Sequence, residues 1–235
     1  MSKECCILHA NCQAEPLAAA LALNAGFAER YDVLIVTNYT RQPVPEGALA
    51  RCTLLLHQHL GPKWGELASE RLRAALPAGA RALCVPNMFF TGYWPLWSSE
   101  PGFDFRDRLL DELLARGLPA QDALHVHLGG SLAAKYDLAA LLEATFETER
   151  RRQALTPVPY LDHLLAHWRS RRLFDTVNHP GRELLALAAD GILAELGLGG
   201  LPEDAIRRIP DIEPEFVLPI HPQVAAFHGL AFADE

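Results

Sequence analysis

The chain begins its first apolar run with Cys5-Cys6-Ile7-Leu8-His9, which continues directly into Ala10-Asn11-Cys12-Gln13. An Ala- and Leu-rich stretch follows from Glu15 to Glu29, and its Pro16 stands where the first turn of a helix tolerates proline. Three more short runs are nearly continuous in apolar character: Val33–Thr37, Thr53–His57 and Ala82–Val85. Continuous rather than alternating apolar character is typical of parallel strands covered on both faces. The pattern predicts an α/β fold with a parallel, Rossmann- or flavodoxin-like sheet in its N-terminal half.

The rest of the chain has mainly the spacing of helices. Helices are predicted between the third and fourth strands and after residue 100: Trp64–Leu76, Phe105–Arg116, Leu138–Gln153, Tyr160–Arg171 and Arg182–Leu196. Five prolines after residue 200 disfavour long elements there. We therefore expect a sheet-containing part over residues 1–100, a mainly helical part over 101–200 packed on it, and a tail over 201–235 that wraps the surface, all within one compact unit.

Composition excludes several classes of protein. The 235 residues include 21 Lys and Arg against 29 Asp and Glu, a formal net charge of −8, and 50% are hydrophobic. Disordered chains are poorer in apolar residues. The acidic balance disfavours nucleic acids and anionic membranes as partners, and no apolar stretch reaches the roughly 20 residues that span a bilayer. The N-terminus lacks a signal-peptide pattern, and the five cysteines are mostly in apolar runs, so we expect a cytoplasmic protein with free thiols.

An amide or an imidazole stands at the carboxyl end of each predicted strand: Asn11 and Gln13 after the first, then Asn38, His57 and Asn87. Open α/β sheets bind ligands beyond this edge, so we expect a site there. A helix that starts right after Cys12 offers free backbone N–H groups to an anion or a developing oxyanion. It should also lower the pKa of the Cys12 thiol, which makes that residue a candidate nucleophile or general base. The alternative is that Asn11 and Gln13 only complete turn and cap hydrogen bonds.

Histidines occur in three close pairs. Two pairs have the spacing that places both rings on one face of a strand, and the third is adjacent on a helix: His57/His59, His125/His127 and His163/His167. Such pairs can bind zinc. However, no HExxH motif, Cys–His cluster or nearby carboxylate pattern completes a site, so no metal is expected.

A single histidine is the better catalytic candidate. His179 lies in Asn178-His179-Pro180, a loop just before a predicted helix, where a rigid scaffold often holds reactive groups. The alternative is a capping turn with Asn178 as the N-cap.

Arginine makes up 18 of the 21 basic residues, and six arginines lie in two clusters, Arg150-Arg151-Arg152 and Arg169/Arg171/Arg172. Guanidinium groups suit phosphates, so the clusters are candidates for binding a nucleotide. The alternative is a solvated basic face. The chain has no Walker A, GxGxxG or GxSxG motif, so the usual P-loop, dinucleotide-binding and serine-hydrolase loops are missing.

Three separated motifs together resemble one family. Ala10-Asn11-Cys12-Gln13 is similar to its Gly/Ala-Asn-Cys-Gln opening after the first strand. The segment from Pro86 to Pro95, Pro-Asn-Met-Phe-Phe-Thr-Gly-Tyr-Trp-Pro, resembles its Pro-Asn-x-x-Phe-x-Gly-Tyr-x-Pro, and Asn178-His179-Pro180 resembles its late Asn-His-Pro. Order and spacing fit over roughly residues 5–197. On these motifs the chain resembles the WcbI-type capsular polysaccharide biosynthesis proteins.

The resemblance implies an O-acetyltransferase that binds coenzyme A (CoA) and moves an acetyl group from acetyl-CoA to a sugar hydroxyl of a surface polysaccharide. Within it we assign His179 as the base, the Cys12-Gln13 backbone with Asn11 or Asn87 as oxyanion donors, and Arg150, Arg151 and Arg152 at phosphate. Phe90 and Tyr93, within Phe89–Trp94, would form an aromatic wall for CoA or a sugar ring, and Asn178 is a further candidate for binding CoA. The alternative for this aromatic segment is ordinary core or lid packing.

Two other classes of function stay open. One is an α/β hydrolase acting on an ester or thioester, with Cys12 or Ser131 as the nucleophile. The other is a non-catalytic protein that binds CoA or a nucleotide, which is favoured if Cys12 and His179 lie far apart.

Overall fold

The computed structural model describes residues 2–101 and 103–232. Its central sheet has four parallel strands in the order β2-β1-β3-β4: Glu4–Ala10 (β1), Tyr31–Thr37 (β2), Cys52–His57 (β3) and Arg81–Cys84 (β4). In the middle of the sheet Leu8 pairs with Ile35 on one side and with Leu56 on the other. This is the strand order of flavodoxin-like sheets, whose winding reverses between β1 and β3. The predicted α/β fold with a parallel sheet is confirmed.

Alternate side chains of β1 enter two different cores. Cys6 and Leu8 belong to the larger core, whereas Ile7 belongs to a smaller core on the opposite face, and all three side chains are fully buried. Burying a leucine-sized side chain contributes roughly 1.5–3 kcal/mol. Because both faces are covered, the strands need apolar residues at successive positions of their middle part, which is why the sequence shows continuous runs.

Helices cover both faces of the sheet and form the second half of the molecule. Within the described residues their bounds are Ala14–Ala22 (α1), Ala25–Arg30 (α2), Glu46–Leu49 (α3), Ser69–Ala74 (α4), Arg108–Ala115 (α5), Ala120–Gly129 (α6), Leu132–Lys135 (α7), Leu138–Gln153 (α8), Leu161–His167 (α9), Arg182–Glu195 (α10), Ala205–Arg208 (α11) and Pro222–His228 (α12). Two 3₁₀ segments cover Asn38–Thr40 and Pro62–Leu67. Two short antiparallel pairs complete the structure: Trp97–Ser98 (β5) with Arg106–Asp107 (β6), and Phe174–Thr176 (β7) with His179–Pro180 (β8).

Polar caps and a glycine divide the predicted helices. The stretch from Glu15 to Glu29 is two helices, because the Asn24 side chain accepts a hydrogen bond from Phe27 N (2.9 Å) and starts α2. Gly65, with a φ of 60°, kinks the 3₁₀ segment Pro62–Leu67, and α4 begins only at Ser69, so Trp64–Leu76 is not one helix. Asp107 caps α5, which therefore begins three residues later than predicted.

His125 and His127 lie on α6, so the prediction that they share a face of a strand is wrong. Residues two apart on a helix point in different directions, and accordingly His127 is buried while His125 is exposed. The alternation of apolar and histidine residues from Leu124 to Leu128 imitates a strand. Both leucines are 48% exposed, however, so this alternation does not mark a face buried in a sheet.

The tail packs against the helical half. Leu218 N donates to Asp175 O (2.8 Å), and Arg172 donates to Leu218 O (2.7 Å). Ile209 belongs to the larger core, so this core contains side chains from all three predicted segments. None of the helices that the structure describes is both long and apolar enough to traverse a membrane.

Candidate active site

Three segments that are distant in sequence meet at the carboxyl edge of the sheet. The turn after β1 holds Asn11, Cys12 and Gln13, the segment after β4 holds Asn87 and Met88, and the turn between β7 and β8 holds Asn178. Gln13 Nε2 donates to Met88 O (2.7 Å) and to Asn178 O (3.0 Å). Asn11 Nδ2 donates to Asn87 Oδ1 (3.3 Å). The meeting point is next to the place where the winding reverses between β1 and β3, the usual ligand position in such sheets.

Five amide side chains form a connected group here, which we call the amide cluster: Asn11, Gln13, Asn38, Gln58 and Asn87. Backbone groups determine which end of each amide accepts. Asn11 N donates to Gln58 Oε1 (2.9 Å), so Gln58 Nε2 must be the donor to Asn11 Oδ1 (3.2 Å) and to Gln13 Oε1 (3.2 Å). Gln13 N also donates to Asn11 Oδ1 (3.0 Å). Asn11 Nδ2 is therefore left to donate to Asn87 Oδ1.

This pattern of hydrogen bonds leaves two donors available to a ligand. Within the part of the chain that the structure describes, neither the Asn87 amide nitrogen nor the backbone N–H of Cys12 has a hydrogen-bond partner. The Gln13 N–H and both ends of its side-chain amide are already engaged, and the side chain is 1% exposed. Gln13 therefore positions the three segments, whereas Asn87 and Cys12 N–H have donors to offer.

Cys12 is half-buried in the turn just before α1, and its thiol contacts Asn178. Asn178 Nδ2 lies 3.5 Å from Sγ, and Sγ lies 3.9 Å from Asn178 O. Burial raises the pKa of Cys12 to about 11, and the negative charges of Glu213 and Asp104 raise it further. The backbone N–H groups of Cys12 and Gln13 act in the opposite direction but are outweighed. The prediction of a lowered thiol pKa is therefore wrong, because desolvation exceeds the effect of the helix start.

His179 lies in β8, directly after the residue that contacts Cys12. It is buried, with 4% of its surface exposed, and its Nδ1 has no hydrogen-bond partner among the described residues. Burial lowers the pKa of His179, although the charges of Glu213 and Asp175 oppose this shift. The imidazole is therefore neutral at pH 7 and able to accept a proton. Gly181, not Asn178, is the N-cap of α10, so the capping alternative for Asn178 does not hold.

The three predicted phosphate-binding arginines lie near the end of α8, but their surroundings differ. Arg150 and Arg151 are exposed and pair with Glu143 and Glu147 on the same helix. Arg152 instead donates to Phe89 O (3.2 Å) and to the buried carboxylate of Glu149 (2.8 Å). A pocket beside it, which we call the basic pocket, is lined by Phe89, Thr91, Pro95, Trp97, Arg108, Leu141, Ala144, Thr145, Thr148 and Arg152.

The aromatic segment is divided between core and pocket. Phe90 and Tyr93 are fully buried, and Tyr93 Oη donates to Trp168 O (2.6 Å); neither ring lines the basic pocket. A Cβ at Gly92 would lie 2.3 Å from the Phe90 ring, so this position has no room for a side chain. Phe89 and Trp97, whose ring centroids are 5.0 Å apart, face the pockets in their place.

A second pocket shares these two rings and lies on the side of Asn178. Its lining residues are Phe89, Trp97, Ser99, Glu100, Asp104, Val177 and Asn178. Because its only charged side chains are carboxylates, we call it the acidic pocket. Carboxylates accept hydrogen bonds from hydroxyl groups, and an aromatic ring packs against the apolar face of a sugar.

Several residues of the site lack a signal strong enough to predict them. Gln58 directly follows the predicted strand Thr53–His57, and this position is the only cue to its place in the amide cluster. Nothing in the sequence points to Glu149, Asp104 or Glu213, whose effects arise from burial or from chain segments that meet only in the fold. Among the residues that the structure describes, no group of three or more His, Cys, Asp or Glu side chains is arranged to hold a metal ion.

Comparison with known proteins gives two matches. The model of the family described as polysaccharide biosynthesis enzyme WcbI matches residues 5–201. A solved structure of WcbI, described as a novel polysaccharide biosynthesis enzyme, is similar with a TM-score of 0.79 and 20% identity, over 96% of this chain and 79% of that one. It is the native protein without a disulfide bond between CoA and one of its cysteines. No match is found among curated proteins. The structural likeness shows the fold, and the family match over most of the chain shows that it belongs to the WcbI family of polysaccharide biosynthesis enzymes.

Proposed function

We propose that this enzyme is an O-acetyltransferase that transfers the acetyl group of acetyl-CoA to a sugar hydroxyl during the biosynthesis of a surface polysaccharide. The observation that carries the proposal is the apposition of Cys12 and Asn178 next to His179, beside two unengaged hydrogen-bond donors. A neutral buried imidazole and donors for a developing oxyanion are the groups that acyl transfer requires.

CoA as the donor is supported by the solved relative, which is described with reference to a disulfide bond between CoA and a cysteine. Such a bond requires the two sulfur atoms to approach to about 2 Å. Cys12, in the Asn-Cys-Gln motif, is the candidate for the equivalent thiol in this chain. A CoA thiol next to Cys12 would place the carbonyl of a thioester beside the amide cluster.

Direct transfer fits the protonation states better than an acyl-cysteine. The pKa of Cys12 is about 11, so its thiol is protonated at neutral pH and is a poor nucleophile. The sugar oxygen attacks the thioester carbonyl as His179 takes the hydroxyl proton. Asn87 Nδ2 and Cys12 N–H donate to the oxyanion that forms. When the carbon–sulfur bond breaks, the imidazolium returns the proton to the CoA sulfur.

The two pockets suggest where the rest of each substrate lies. The basic pocket, which Arg108 and Arg152 line, suits the CoA phosphates better than the positions of Arg150 and Arg151, which lie outside its lining. The acidic pocket adjoins Asn178, and its carboxylates repel phosphate but accept hydrogen bonds from hydroxyl groups. It is therefore the proposed site of the acceptor sugar.

Binding and turnover test this proposal separately. Calorimetry should show CoA binding, and Arg152→Ala should weaken it and reduce its salt dependence, whereas Arg151→Ala should change it little. His179→Ala should lower acetyl transfer roughly 10²–10⁴-fold, the usual range for a general base, while CoA still binds. Cys12→Ser should change the rate only slightly if transfer is direct, whereas it would nearly abolish transfer through an acyl-cysteine.

Three results would contradict these assignments. Absence of CoA binding at millimolar CoA would exclude acetyl-CoA as the acyl donor. Normal turnover by His179→Ala, with the exposed His125→Ala as control, would exclude the base. Thioester hydrolysis that is unaffected by sugars would make the protein a thioesterase instead.

A further inference from the structure

An apolar cavity of about 390 Å³ lies beside the two pockets of the proposed site. Trp97 lines all three spaces, so the basic pocket, the acidic pocket and the apolar cavity meet at one indole ring. The volume lies within the range of about 300–1,000 Å³ that small-molecule sites occupy. Aromatic and aliphatic side chains from the segment leading into β5, from α6 and from the tail form most of the wall, including Trp94, Leu96 and Ile220.

Most polar side chains of the cavity are already engaged by the protein. His221 Nε2 contacts His127 O (3.1 Å) while its Nδ1 accepts from Gln223 N (3.1 Å). Arg106 pairs with Asp111 (2.8 Å). His127 is the exception, since its Nε2 lies 3.2 Å from Asp107 without good hydrogen-bond geometry. When the polar groups of a cavity are already hydrogen-bonded within the protein, the cavity favours an apolar ligand.

The mouth of the cavity is also apolar. Leu124 and Leu128 lie one turn apart on α6, and each is 48% exposed while lining the cavity. Exposed leucines that border a cavity form a continuous apolar entrance, which is a feature of binding sites rather than of ordinary surface.

The cavity adjoins the proposed base. Phe105 lines the cavity, and its ring centroid lies 6.0 Å from that of His179. A group that starts at a thioester carbonyl near His179 therefore has an apolar space within reach. The inner wall includes the buried side chains of Tyr93 and Trp94, so the space is bounded and suits a short chain better than a long polyprenyl tail.

We propose that this cavity binds the aliphatic acyl chain of an acyl-CoA donor, so that the enzyme accepts acyl groups longer than acetyl. The inference rests on the proposed function for its donor and adds the substrate class. The reaction is unchanged: the same carbon–sulfur bond breaks, and the chain remains in the cavity while the ester forms.

A chain-length series tests the proposal. Calorimetry would compare CoA, acetyl-CoA, butyryl-CoA, hexanoyl-CoA and octanoyl-CoA. Each methylene that enters the cavity should tighten binding about fourfold, which corresponds to ~0.8 kcal/mol per buried CH₂. Leu128→Trp, and independently Leu124→Trp, should weaken octanoyl-CoA binding at least about tenfold and leave CoA unchanged, because each narrows the mouth. Leu114→Trp, at an exposed position on α5 outside the cavity, is the matched control.

Decanol separates a failure of this inference from a failure of the proposed function. It carries no CoA moiety, and its binding can be followed by the fluorescence of Trp94 and Trp97, which line the cavity. If CoA does not bind but decanol binds and Leu128→Trp prevents it, the proposed donor is wrong and the aliphatic site stands. If the affinity does not rise with the length of the acyl chain, the inference is overturned. It is also overturned if the rise is the same in Leu124→Trp and Leu128→Trp as in the parent protein. Tight binding of farnesyl phosphate together with a flat series would assign the cavity to a lipid-linked acceptor and overturn it as well.

Discussion

Replacing His9 with leucine is expected to make the protein less sensitive to acid. His9 is a fully buried residue of β1 that pairs in register with His57 of β3. Neither of its ring nitrogens has a hydrogen-bond partner among the described residues. Burial, reinforced by the nearby His57, lowers the pKa of His9 from its ordinary 6.5 to about 4. The protonated ring is thus accommodated far better by the unfolded chain than by the native state.

The magnitude follows from the difference between the two pKa values. A lowered pKa in the folded state means that the unfolded chain binds the proton first, so stability falls as the pH drops through 6.5 and levels off below about 4. The full difference is worth about 3 kcal/mol at 1.36 kcal/mol per pKa unit. Between pH 7 and pH 5 the loss due to His9 alone is about 2 kcal/mol.

Urea denaturation followed by tryptophan fluorescence measures this effect. The free energy of unfolding would be determined at pH 7 and pH 5 for the parent protein, for His9→Leu and for His125→Leu, which makes the same change at an exposed position on α6. His9→Leu should lose about 2 kcal/mol less than the parent between the two pH values, and His125→Leu should behave as the parent does. Equal losses in all three proteins would refute the reasoning that burial keeps His9 neutral.

Two further predictions concern buried polar side chains near the site. Burial raises the pKa of Glu149 from its ordinary 4.5 to about 7, despite its contact with Arg152. Its contribution to stability is therefore fully present below pH 4.5 and is lost as the pH rises through 7. Glu149→Gln should remove that loss, about 2 kcal/mol between pH 5 and pH 7 in urea titrations; an unchanged pH dependence would contradict it. Between pH 5 and pH 7 Glu149 and His9 change the free energy of unfolding in opposite directions. The pH dependence of the parent protein alone would therefore reveal neither effect. Gln58→Leu should lower the free energy of unfolding by about 2–3 kcal/mol, since buried partners such as Asn11 N and Pro86 O lose their hydrogen bonds. The exposed Gln42→Leu is its control in thermal unfolding, and an equal melting temperature for the two variants would argue against the amide cluster.

The sheet was predictable because its signal is local. A strand covered on both faces needs apolar side chains at successive positions, as in Cys6, Ile7 and Leu8, and that requirement is visible in any short window of sequence. The placement of Asn11 and Asn87 together followed directly, since parallel strands bring their carboxyl ends to the same edge. The motif containing His179 added the third segment, although no local pattern showed that Asn178 would contact Cys12.

What only the tertiary structure decided depends on burial and on contacts between distant segments. Sequence placed Cys12 at a helix start and predicted a lowered pKa, whereas burial together with the charges of Asp104 and Glu213 raises it. Phe89 and Phe90 are neighbours of the same residue type, yet one borders the pockets and the other is fully buried in the core. Desolvation and charge–charge interactions depend on distances through space, and those distances exist only after the chain has folded.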